Sequence, residues 1–278
     1  MPSTAPPLRS QALAAWREPD IGKKLDAVRE LPLPSAESGS HSPANPAEMS
    51  PGRPARPALV EPTAVKQRPL SRPEGRAALI HALAHIEFNA VNLALDAIWR
   101  FDGFPPDYYA DWRQVAMEEA LHFALLTEHL ANLGHEYGDF PAHDGLWDMA
   151  RRTAGDALAR MALVPRVLEA RGLDASPGIK ARLQQAGDRR GAEIVQRILD
   201  DEIGHVAIGT RWFHWLCARR DLEPETTFVA LLRQFMTSPL RSAPNVPARK
   251  AAGFSDEELA LLAAFNAAGA DDTQQRRS

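Results

Sequence analysis

The chain has one cysteine, Cys217, among 278 residues, so no disulfide can form within it. A lone thiol suits a reducing compartment, and a cytoplasmic location is expected. Long apolar runs are also missing. No stretch of about 18 such residues occurs, so no membrane span is expected. The opening MPSTAPPLRSQALAAWREPD has neither the basic start nor the continuous apolar core of a secretory leader, and none is expected. Charge of one sign is not in excess. The formal net charge is -4, which disfavours nucleic acid or an anionic membrane as a broad partner surface. Strand-like alternation of useful length is absent from Glu74 onward, and so is any flavin or nicotinamide motif.

Proline is what the chain has in quantity, with 23 residues, many of them before residue 75. A modest helical signal covers 9–30, interrupted by Pro19. The stretch LPLPSAESGSHSPANPAEMSPGRPARPALVEP follows. Prolines at this density remove backbone donors and favour extended conformations. Such a segment is either a disordered linker or an arm wrapped over a domain, and Leu59 and Val60 favour the second for its later half.

From residue 74 the pattern is helical. Apolar residues at 3.6 spacing predict four long helices over 74–101, 106–133, 145–171 and 188–219. Pro106 suits a first helical turn. Pro165 is expected to kink the third helix, and Gly172 to end it. A short helix, IKARLQQAG, then leads into the fourth. Near the end, a helix is expected over 224–236, then an extended SAPNVPARKAAGF. A short final helix follows, opened by Ser255 with Glu258 three residues on, a capping-box pattern. The fold class is all-α, a four-helix bundle over 74–220. Residues 1–73 form an N-terminal helical segment and Pro-rich arm, and 221–278 form C-terminal helices and a tail.

The chemistry lies in a doubled pattern. Glu-x-x-His occurs as Glu119 with His122 and as Glu202 with His205. Three residues apart on a helix, the two side chains share a face and can reach one metal ion. With 18 Glu and 9 His in the chain, about 0.6 such pairs arise by chance, so one pair means little. Each pair, however, has a glutamate one helix earlier. Glu87 stands 32 residues before Glu119, and Glu169 stands 33 before Glu202. Four carboxylates and two imidazoles converging in a bundle are the ligand set of a dinuclear iron or manganese centre.

The stripes around these acids are apolar: Leu83, Ala84, Val91 near Glu87; Val115, Ala116, Phe123 near Glu119; Ile198, Leu199, Val206 near Glu202. Buried acids need compensation, and two divalent cations would supply it. Bland readings remain open for single residues. Glu169 alone also fits an ion-pair partner of Arg166, and Glu87 a surface acid beside His85. His81 and His85 fall off the Glu87 face. His129 and His214 read as partly exposed helical residues, and His135 and His143 as loop residues near an entrance. The Trp and Met residues read as core packing.

At these residues the chain resembles the ferritin-like superfamily of di-iron carboxylate proteins. The wording GRAALIHALAHIEFNAVNLALDAI, YGDFPAHDGLWDMA and DEIGHVAIGTRWF resembles its uncharacterised bacterial branch, domain of unknown function 455, from PGRPARPALV to ARKAAGF. More remotely it is similar to the bacterial tRNA hydroxylase acting on an isopentenyl-adenosine side chain. The resemblance implies Glu119 and Glu202 as bridging ligands, Glu87 and Glu169 as terminal ones, and His122 and His205 one per metal. It also implies that Glu118 and Asp201, the acids preceding each Glu-x-x-His, accept a hydrogen bond from a ligand histidine on the facing helix, Asp201 from His122. Glu118 stands where aspartate is commoner. Asn245 and Arg249 of PNVPAR would cover the site.

The implied cofactor is two iron ions, with manganese or a mixed pair as variants. The implied activity is O2-dependent oxidation or hydroxylation of an organic substrate, a small molecule or modified nucleoside, with an external electron donor. Alternatives are a ferroxidase or peroxide scavenger, and a metal-stabilised binding module without catalysis. A homodimer is compatible with all of these.

Overall fold

The computed structural model describes residues 7–34, 50–66, 68–236 and 243–275. It is all-α. Among the described residues the sole β feature is an isolated parallel bridge between Leu59 and Ala142. The helices are α1 (Leu8–Arg17), α2 (Ile21–Arg29), α3 (Pro73–Arg100), α4 (Pro106–Asn132), α5 (Gly145–Arg152), α6 (Ala157–Leu163), α7 (Ala170–Gln185), α8 (Arg189–Arg219), α9 (Pro224–Phe235), α10 (Val246–Ala251) and α11 (Asp256–Gln275). A π-helical turn, Val164–Glu169, joins α6 to α7. The chain divides into two compact units: Met1–Gly155 with Lys180–Val195, and Asp156–Ile179 with Gln196–Ser278.

The first unit is built on α3 and α4, its most extensive helix pair. Both start with proline in the first turn, where a missing N–H costs nothing. From Phe88 to Arg100 every residue of α3 is buried. By length and composition α3 is apolar enough to cross a membrane, yet most of that stretch is buried inside the protein. It is therefore a core helix, apolar over much of its length because protein covers most of it.

Helix α1 covers α3 through tryptophan. Trp16 lies 5.0 Å from Trp99 and 5.8 Å from Trp147, ring centre to ring centre. The arm from residue 50 is held by backbone bonds. Gly52 N–H donates to Trp16 O at 2.8 Å, Val60 N–H to Ala142 O at 2.8 Å, and Ala142 N–H to Ala58 O at 3.0 Å. The wrapped reading thus holds for 50–60, though Leu59 itself is largely exposed. Residues 35–49, the middle of the stretch to which the disordered-linker reading applies, lie outside the described residues.

The second unit gathers α6, the π turn, α9, α10 and α11 around part of α8, with Phe213, Phe228, Leu232 and Leu262 buried. Several expectations are corrected here. The third helix is not continuous over 145–171: it breaks at Thr153–Asp156, where Asp156 caps α6 through the Leu158 N–H. It also does not end at Gly172. The helix runs through Gly172 and Pro177 to Gln185 and absorbs the expected short helix, because the strained step is taken earlier, in the π turn. The segment expected as extended contains α10, capped by the Asn245 side chain. The capping box is present in full: Ser255 N–H donates to Glu258 Oε2 and Glu258 N–H to Ser255 Oγ, both at 3.0 Å. The helix it opens runs to Gln275 and is not short.

Candidate metal centre

Glu87 comes from the buried middle of α3, and Glu119 and His122 from one face of α4. Small neighbours, Ala84 and Ala90 on α3 and Ala116 and Ala120 on α4, are all buried beside them. His122 Nδ1 lies 3.2 Å from Glu87 Oε2 and 3.3 Å from Glu119 Oε2. One donor atom from each residue falls within 4.8 Å of the other two, with all three buried. Phe88 and Phe123, 5.6 Å apart, pack beside the set.

The electrostatics match that geometry. Burial pushes the Glu87 carboxyl up to about 8, and the neighbouring Glu119 charge adds to it. Burial works against an imidazolium at His122, but hydrogen bonds to Glu119 and Glu87 outweigh it and raise the group to about 11. Two carboxylates crowded in a dry interior thus draw positive charge to themselves. A divalent cation would meet that demand in full: two carboxylates and a neutral imidazole balance one 2+ ion. The donor set is oxygen and nitrogen without thiolate.

In the second unit, α8 carries Glu202 and His205 on one buried face, with His205 Nδ1 3.9 Å from Glu202 Oε2. Glu169 is buried at the last position of the π turn. Among the described residues it joins no three-residue donor set as tight as that around His122. Glu118 accepts a hydrogen bond from Gln114 at 3.1 Å, and Asp201 accepts one from Arg197 along its own helix. Asp200 takes Gln196 on an exposed face, a solvated pair.

Other expectations shift. Arg166, a candidate partner for Glu169, is bonded to Glu258 of α11. Asn245 and Arg249 are tied to α7: Asn245 Nδ2 donates to Leu173 O at 3.1 Å, and Arg249 makes two bonds to Asp174 at 2.9 and 2.7 Å. His129 is not partly exposed. It is buried and bonded to both oxygens of Asp188, at 2.9 and 3.0 Å. The reason is Asp188's position at the start of α8, where it also accepts the Gly191 N–H at 2.8 Å. His214 is partly exposed, as expected.

A polar cluster that the sequence did not disclose gathers on another face of α3, with His85 and Asn89 each two residues from Glu87. Tyr137 Oη lies 2.8 Å from His85 Nδ1, its ring stacks on His81 at 5.2 Å, and Asn89 reaches His85 Nε2 at 3.1 Å. Only the i,i+4 spacing of His81, His85 and Asn89 hinted at it. Tyr137 belongs to a loop with no periodic signal.

A family model described as Protein of unknown function (DUF455) matches residues 11–260. An uncharacterized protein of Haemophilus influenzae (strain ATCC 51907 / DSM 11121 / KW20 / Rd) is 48% identical over 213 residues, covering 74% of this chain and 74% of its own. No solved structure matches the chain.

Proposed function

The chain belongs to the family described as Protein of unknown function (DUF455), and from that premise we propose that it is a dimetal carboxylate protein of the ferritin-like kind. Its activity in this reading is O2-dependent oxidation of an organic substrate. The observation that carries the reading is the buried Glu87–Glu119–His122 set, whose sequence pattern recurs as Glu169 and Glu202-x-x-His205. Each set offers two carboxylates and one imidazole, so each balances one divalent ion, and the chain holds two.

Iron is the preferred metal, because it would supply electron transfer to dioxygen, which no side chain here provides. The protein residues do the rest. Glu87 and Glu119 present anionic oxygens in fixed positions. His122 gives up its shared proton to become a neutral ligand. Ala84, Val91, Phe88 and Phe123 keep water from that side of the set. The substrate is an organic small molecule or modified nucleoside, electrons come from an external donor, and the protein works in a reducing cytoplasm.

The test is metal content after anaerobic reconstitution with Fe(II). We expect about two ions per chain in the wild type, and about one in His122→Ala or His205→Ala. A wild type that retains no metal would sink the proposal. Stopped-flow absorbance of the Fe(II) form mixed with air-saturated buffer then tests the oxidative part. Absence of any iron oxidation would leave a metal-stabilised protein without oxygen chemistry. Fast oxidation in an assembly that accumulates iron would favour iron handling.

A further inference from the structure

Five of the six ligand candidates stand on uninterrupted α-helix, and Glu169 alone stands on a π turn. That turn is gripped from within and just beyond. Inside it, the Arg166 guanidinium lies 4.5, 4.4 and 4.6 Å from the ring centres of Phe213, Phe228 and Phe254. It donates to Glu258 of α11, and to Thr210 Oγ1 of α8 at 3.3 Å. Arg166 and Glu258 are both wholly buried. Immediately after the turn, Arg249 holds Asp174 with two bonds and reaches Ala170 O at 3.4 Å, while Asn245 N–H donates to Asp174 Oδ1 at 2.8 Å. A third contact fixes Pro165. A Cβ on Gly209 would fall 2.4 Å from the Pro165 ring, so only glycine lets α8 come this near.

These contacts are costly for a purely structural core. A buried ion pair seldom stabilises more than apolar packing of the same volume would. What it supplies is a defined geometry, and a π turn, a sparse backbone state often found at functional sites, persists only where its surroundings over-determine it. The residue flanked on both sides by the grip is Glu169. Gly253, at φ +87°, ends α10 and turns the chain so that Phe254 closes the cage and Glu258 follows.

We propose that the C-terminal segment from Asn245 to Glu258 is a positioning clamp for Glu169. It fixes the π turn so that this carboxylate serves the Glu202–His205 set. The proposal rests on the dimetal reading above. Arg166, Glu258 and Arg249 act through Glu169 and touch no metal themselves.

The experiment is anaerobic titration of the full chain with Co(II), followed by its visible absorption, for the wild type, Glu169→Gln, Glu258→Gln and the double variant. Glu258→Gln is expected to weaken the same ion that Glu169→Gln weakens, by about tenfold, and to leave the other ion unchanged. In the Glu169→Gln background it should weaken that ion no further, since the two changes act through one ligand. Wild-type affinity for both ions in Glu258→Gln would overturn the clamp, and so would independent, multiplying effects in the double variant. Should Glu258→Gln fail to fold, Phe228→Leu opens the cage while sparing the ion pair, and the same cycle is read the same way. No cobalt uptake by the wild type would overturn the dimetal reading itself. Two ions bound with an unaltered Glu258→Gln would overturn the clamp alone.

Discussion

Lys24 shows what a single buried charge does here. Its ammonium, wholly inside the first unit, donates to Ala15 O at 3.1 Å, Trp16 O at 2.9 Å and Asn92 Oδ1 at 2.8 Å, all neutral acceptors. Burial lowers it from 10.5 to about 7, partly opposed by the charge of Glu18. In the unfolded chain the amine keeps its proton up to about 10.5. Between these values the unfolded state binds more protons, so stability rises with pH from about 7 toward 10.5. Below about 7 both states are protonated and this contribution vanishes. Urea unfolding at pH 6.5 and 9.5 should show the wild type gaining up to a few kcal/mol at the higher pH. Lys24→Met should lose most of that gain, and an equal gain in the variant would show the pH dependence to arise elsewhere. The metal candidates follow the same rule of burial. Glu87, Glu119 and His122 are buried together, and the imidazolium charge that the two carboxylates hold on His122 is what a cation would replace.

Among the elements, the third helix of the pattern departs most from its sequence. Pro165 cannot donate to the preceding turn, and the chain answers with a π segment where a simple kink was expected. Gly209→Ala puts a methyl into the Pro165 ring, so either the turn or α8 must shift. Overpacking of this kind costs about 1–3 kcal/mol, to be measured by denaturant unfolding. A variant as stable as the wild type would mean that the turn is soft and not held. At the other end of the same unit, Ser255→Ala removes the acceptor for the Glu258 N–H and should cost about 1 kcal/mol. A loss below a few tenths would assign the start of α11 to packing alone.

Across the whole molecule, the apolar text of α3 could be mistaken for a span. It is covered because α1 and α2 bring Trp16 and Lys24 onto it, and α5 brings Trp147. Trp16 is fully buried between Trp99 and Trp147, and its loss should cost about 3–5 kcal/mol. Limited proteolysis of Trp16→Ala should then cut within the first 70 residues well before the wild type does. Equal cleavage rates would show that the backbone bonds of the 50–60 arm hold the N-terminal helices by themselves.

The sequence by itself determined the all-α class, most helix starts, the capping box at Ser255 and the residues of the Glu87–Glu119–His122 set. All of these are written in local spacing: 3.6-residue periodicity, first-turn prolines, and a carboxylate three residues before a histidine. Only the tertiary structure decided that Arg166 pairs with Glu258, that His129 is buried on Asp188, that Tyr137 sits on His85, and that the third helix carries a π turn. Their physical cause is contact between residues far apart in the chain, 92 positions in the case of Arg166 and Glu258. No periodicity records such a pairing, because its energy exists only once the helices have packed.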